Sequence, residues 1–148
     1  MTDSKGPRWI GDNLPSLPPE LQYAQDLPPK VTEKYVLFFG FDGPEPECCL
    51  QQWYPSPFVE KVDESEAKRS GTSAERKFKT SEQYMMFHKA LLMGDAEVAG
   101  EVLECQTPGE AKGLGRKVKN FQQTLWDKHC DDIVEQGQYL KFSQNAEL

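Results

Sequence analysis

The chain has 148 residues, with 24 Asp and Glu against 17 Lys and Arg, for a formal net charge of −7. That length supports one domain with a real core and is short for two. The acidity excludes broad duplex-DNA or membrane-surface binding, which needs a basic footprint, and leaves room for a local anion pocket.

Residues 1–34 carry Pro7, Pro15, Pro18, Pro19, Pro28 and Pro29. Proline lacks the backbone donor and fixes φ, so this stretch predicts an extended or disordered tail. The first residues lack the apolar core of a signal peptide, and the longest apolar run, YVLFFGF, is too short to span a bilayer. Cys48, Cys49, Cys105 and Cys130 show no CxxC spacing and have only His88 and His129 beside them. No metal site and no disulfide are expected, and reduced thiols fit an intracellular chain. The expected setting is cytoplasmic, with no membrane contact.

A domain is expected over 35–148. YVLFFGF is β-branched and aromatic, which predicts a buried strand. WYPSPFVEKV follows, its prolines limiting pairing to an edge or to strand ends. DESEAKRSGTSAE reads as a polar loop with a Gly turn, and ERKFKT as a short returning strand. The first half thus predicts a small sheet with a long hairpin.

The second half predicts helices. Thr80 and Gln83 fit a capping box for a helix over 81–93. Asp95 caps AEVAGEVLE, where Val98, Val102 and Leu103 form an apolar stripe. Thr107, Pro108 and Glu110 give a third start, with a short helix to about Leu114. FQQTLWDKHCDDIVEQGQYLKF supplies the last helix, with Gly137 as a candidate kink. The fold class is α+β and predominantly helical, with four or so helices.

The helix over 81–93 has almost no polar face. At about 100° per residue, Met86, Lys89 and Met93 fall within about 40° of Glu82, and Tyr84 and Leu91 lie nearly opposite. One reading turns this stripe to solvent, with Glu82 favoured by the helix dipole. The other lines a pocket with it, aiming Glu82 at a ligand that Lys89, about 10 Å along the axis, would flank. KGLGRKVKN is the one dense basic patch, and its Lys112, Arg116, Lys117 and Lys119 read either as a phosphate grip or as cations at a helix C-terminus. It is not a P-loop. Trp126 reads as core packing or as a stacking platform.

Five blocks occur in a recognisable order: WYPSPF, KTSEQYMMFHKALLMGD, GLGRKVKNF, Trp126 and LKFSQNAEL. Together they resemble the NADAR family, also called YbiA-like, over residues 35–148. SEQYMM with the following KA is the most specific block. The resemblance implies a YbiA-like single domain, largely helical with a small N-terminal sheet or hairpin. It implies an N-glycosidase-type hydrolase acting on ribose linked through nitrogen to a base. The implied partner is a small nucleotide-like or ADP-ribosyl substrate. Implied forms are a riboflavin-pathway ribosylaminopyrimidine phosphate and ADP-ribosylated guanine, the latter also as a nucleic-acid base. No cofactor is expected.

Carried over by motif, Glu82 matches the family's catalytic glutamate and Lys89 its QKA lysine. Arg116 matches the GR arginine, implying phosphate binding. Trp126 matches a substrate-contacting tryptophan, and Tyr84 a structural tyrosine. The chain departs from the pattern at Gln52, at His88 and in a long loop over 61–76. It also ends at Leu148, where the family continues into a Gly- and Trp-rich segment bearing an acidic residue. The alternative expectation is therefore a non-catalytic ADP-ribose or nucleotide-binding module, or an inactive shortened member.

Overall fold

The computed structural model describes residues 30, 31, 33, 34, 36–38 and 40–148. The tail expected over 1–34 lies almost wholly outside the described residues. Among those described, β1 (Lys30–Val31) pairs antiparallel with β2 (Val36–Leu37). This corrects the expected buried strand over YVLFFGF. Among its described residues only Val36 and Leu37 are strand, and Val36 is 47% and Phe38 39% exposed. Their β propensity is satisfied by a short ribbon that does not join the other sheet.

The second ribbon carries more of the core. β3 (Phe58–Lys61) pairs with β4 (Glu75–Phe78), with Phe58 opposite Phe78 and Glu60 opposite Arg76. Pro55 and Pro57 precede β3, where they cost no ladder bond. The segment between the strands is not the expected loop. Asp63 accepts the Glu66 N–H at 2.8 Å and starts α1 (Glu64–Ser70), which Gly71 ends in the left-handed region at φ +68°. The outer edge of β3 is closed by side chains. The Gln144 amide accepts from Val59 N–H at 2.9 Å and donates to Val59 C=O at 2.8 Å, and Asn145 donates to Pro57 C=O. The Gln and Asn of the terminal block therefore act as a substitute strand.

Four further helices follow: α2 (Ser81–Leu92), α3 (Ala96–Glu104), α4 (Pro108–Gly115) and α5 (Gln123–Gln144). Their starts match the capping signals. Thr80 accepts from Gln83 N–H, Asp95 from Val98 N–H, and Thr107 and Glu110 form a full capping box. The fold is α+β and mostly helical. No described helix is long and apolar enough to cross a membrane.

α2 is the hub, packed by α3, α4, α5 and β4. Phe58, Phe78, Tyr84, Phe87, Ala99, Val102 and Ala111 make one core around it. Beside that core, Glu60 accepts from Arg76 at 2.9 Å and from the Tyr84 hydroxyl at 3.1 Å. His88 Nε2 lies 2.9 Å from the same carboxylate, off the line of a directed hydrogen bond. Burial pushes the Glu60 carboxyl up, but His88 and Arg76 outweigh it and hold it below the usual carboxylate range. Arg76 is itself buried, and its remaining donors reach Thr72, Glu66 and Ser70.

α5 is continuous, so the expected kink at Gly137 is corrected. Gly137 is instead a close crossing, where an added Cβ would sit 2.7 Å from the Tyr84 ring. Gly137→Ala should therefore force α5 off α2 and lower stability by about 1–3 kcal/mol. Denaturant melts of the two proteins check this, and a gain in stability, as expected from helix propensity alone, would refute the crossing.

Candidate active site around Glu82

Glu82 sits in the first turn of α2, two residues after the Thr80 cap, and is 5% exposed. Its backbone N–H has no partner within the helix at that position and donates to Gln52 C=O at 3.1 Å. The segment carrying WYPSPF is thus fastened to the turn that carries the carboxylate. Gln52, one of the departures from the pattern, makes this contact through its backbone.

The stripe of α2 headed by Glu82 does not face solvent. Met86 and Met93 are buried. A Cβ on Gly115 would run into Met86, and Gln122 N–H meets the Met93 sulfur at 3.3 Å. α4 and the turn after it therefore lie over this stripe, which accounts for the short glycine-containing helix. The solvent-facing reading of the stripe is ruled out for Met86 and Met93.

Lys89 is half-buried beneath the same turn. Its ammonium donates to Gly115 C=O at 2.8 Å and stands 4.5 Å from the Phe121 ring centroid and 5.6 Å from that of Trp126. Lys112 and Arg116 approach from α4, one turn apart on a common face. Lys112 Nζ lies 5.5 Å from the Trp53 ring. Lys119 points elsewhere: it pairs with Glu97 at 2.6 Å and donates its backbone N–H to Asp95. KGLGRKVKN thus divides into two cations at the site, one in a surface pair and the exposed Lys117.

These groups act on one another. Burial pushes the Glu82 carboxyl above the usual range, and Lys112, the Trp53 indole N–H, Lys89 and Arg116 pull it part of the way back. Burial lowers the Lys89 ammonium, Glu82 opposes that shift, and Arg116 adds to it. One buried carboxyl therefore faces three cations and an indole donor. The excess positive charge suits an anionic ligand held against Glu82.

Of the residues singled out in the sequence, Glu82, Lys89 and Arg116 come together. Trp126 lies beside them but is 8% exposed and packed into the core, with Lys89 against its ring. Phe121, 41% exposed, is the open ring next to Lys89. Lys112 joins them as one of the four cations of the basic patch, whereas Trp53 was not singled out. The signal for Lys112 was its four-residue spacing from Arg116; Trp53 had none beyond membership of the WYPSPF block. His88 and His129 lie elsewhere, in an open cleft of about 590 Å3 that does not include Glu82. Among the described residues, no group of three or more His, Cys, Asp or Glu is placed to hold a metal ion.

The NADAR domain family matches residues 38–148. The chain belongs to the NADAR family. It is 42% identical over 118 residues to N-glycosidase R617 of Acanthamoeba polyphaga mimivirus, an overlap of 79% of this chain and 65% of that protein. It is 36% identical over 119 residues to Protein irg-1 of Caenorhabditis elegans, covering 78% of this chain and 54% of that one. The chain thus spans less than two thirds of either relative's length.

Lys112 acts on Glu82 and Lys119 does not, so Lys112→Met should raise the Glu82 titration midpoint further than Lys119→Met does. Carbon-13 NMR of the glutamate carboxyls reads this directly, and equal midpoints would place Lys112 outside the site.

Proposed function

We propose that this NADAR chain is an N-glycosidase-type hydrolase. Its substrate would be a phosphorylated N-ribosyl or ADP-ribosyl compound, of the class of a riboflavin-pathway ribosylaminopyrimidine or ADP-ribosylated guanine. Family membership and the name of the mimivirus relative support the reaction type. The observation that carries the reading is the buried Glu82 carboxyl faced by Lys112, Lys89 and Arg116.

Breaking an N-glycosidic bond passes through an oxocarbenium-like ribosyl cation. An ionised carboxylate beside the anomeric carbon stabilises that cation or takes a proton from the attacking water. Water adds to the carbon, the C–N bond breaks, and the base departs with a proton. Exposed Arg116 and half-buried Lys112 are the groups to hold a phosphate at the rim, which fixes the sugar over Glu82. Lys89 stands deeper, and Phe121 and Trp126 hold its ammonium in place. In this reading Trp126 contacts the substrate chiefly through Lys89.

Glu82→Gln should lower base release by about 10²–10⁴-fold. Its melting midpoint at neutral pH should be no lower than the parent's. The fold raises the Glu82 pKa, so the ionised form is the one that burial disfavours, and the neutral amide removes that cost. Mass spectrometry of free base from both candidate substrates, with a thermal melt, checks both. Unchanged release removes Glu82 from the mechanism. Ligand-raised melting without release from the parent chain would favour a nucleotide-binding module instead.

The same shift sets a pH dependence. The reaction needs ionised Glu82, so activity should be lost as pH falls through a midpoint above the ordinary carboxylate value. A pH–rate profile whose acid limb lies at or below that ordinary value would contradict the assignment.

A further inference from the structure

We infer that Lys141, on α5, is a positioning residue for Glu82 and acts through the backbone of residues 49–54. The inference rests on the reading of Glu82 as the working carboxylate. Lys141 is fully buried, with 0% exposure. Its ammonium donates to the carbonyls of Cys49 and of Gln51, the latter at 3.0 Å. It also stands 5.6 Å from the Tyr54 ring and 5.1 Å from that of Phe142. No carboxylate pairs with it among the described residues. A buried ammonium without an anion costs free energy, and burial lowers its pKa to about 8. Core packing alone would be served better by an apolar side chain.

What the ammonium does is visible in the segment it grips. It holds Cys49, Gln51 and Tyr54. The two residues between the last of these grips, Gln52 and Trp53, face α2. Gln52 C=O takes the Glu82 N–H, and the Trp53 indole N–H favours the charged Glu82 carboxyl. Trp53 also carries Lys112 over its ring. The segment makes few bonds of its own, a 3-10 turn over Pro46–Leu50 and single turn bonds at Gln51 and Tyr54. Lys141 therefore supplies donors that a short, irregular stretch cannot supply for itself. It sits 59 residues from Glu82 in sequence, yet it fixes two of the groups that set the carboxyl's position and charge.

The test uses the full chain with Lys141→Met, which keeps the stem and removes the donors, and Lys141→Gln, which keeps two donors on a shorter stem. In the folded Met variant, the Glu82 amide should exchange at least about tenfold faster and the Trp53 indole resonance should move, with β3, β4 and α3 protection unchanged. Base release should show kcat down by about tenfold or more and KM within roughly threefold, since substrate contacts are intact while the carboxyl is displaced. The Gln variant should recover part of each effect. A wild-type Glu82 amide and Trp53 indole in either folded variant would overturn the inference. So would displaced resonances with unchanged kcat. Failure of the underlying reading looks different: Glu82→Gln would then retain base release, whatever the Lys141 variants do to the two resonances.

Discussion

The burial of α2 is the constraint on which the rest depends. A helix apolar on nearly every side has to be covered on nearly every side. Here α3, α4, α5 and the β3–β4 ribbon do the covering. The two charged residues on that helix cannot escape to water by rotation, since any rotation would expose Phe87 or Ala90, both at 0% exposure. Glu82 and Lys89 are therefore held in a low-dielectric setting, where neighbouring charges act strongly. The fold satisfies them locally, with Gly115 C=O on Lys89 and the Trp53 indole and cations on Glu82.

This arrangement separates the charge of the whole molecule from the charge of the site. The chain carries a net −7, and α5 shows Asp127, Asp131, Asp132 and Glu135 on its exposed surface. Extended polyanions are repelled by such a surface. Lys89, Lys112 and Arg116 nevertheless gather around one carboxyl. A single phosphate or pyrophosphate needs only that local field, which is a way for an acidic protein to take a small anionic ligand.

α5 is long, yet only Trp126, Gly137 and Lys141 are buried along it. Each makes a different tie to α2 or to the segment beside it. Trp126 lies against Lys89, Gly137 lets the helix close on Tyr84, and Lys141 holds the segment bearing Trp53. The three are spread over roughly four turns. A helix with a weakly apolar face is thus anchored by a ring, an absence of side chain and a buried amine.

Much of this was legible in the sequence because it is local. Thr80, Asp95 and Thr107 announced three helix starts through cap chemistry that operates within a few residues. The order of five short blocks determined the family, and with it Glu82, Lys89 and Arg116 as candidates. Local reading failed where tertiary contact decides. Among the described residues of the apolar run YVLFFGF only Val36 and Leu37 are strand, since strand partners are chosen by the rest of the sheet. One miss was itself local: within DESEAKRSGTSAE, Glu64–Ser70 is helical through the caps Asp63 and Gly71. The entry of Trp53 and Lys112 into the site, and the reach of Lys141 to the carbonyls of Cys49 and Gln51, depend on how helices cross. Side-chain type and spacing are properties of the chain, and so the sequence determined which chemical groups were available. Crossing and burial are properties of the packed molecule, and so only the tertiary structure decided which of those groups meet, and in what dielectric.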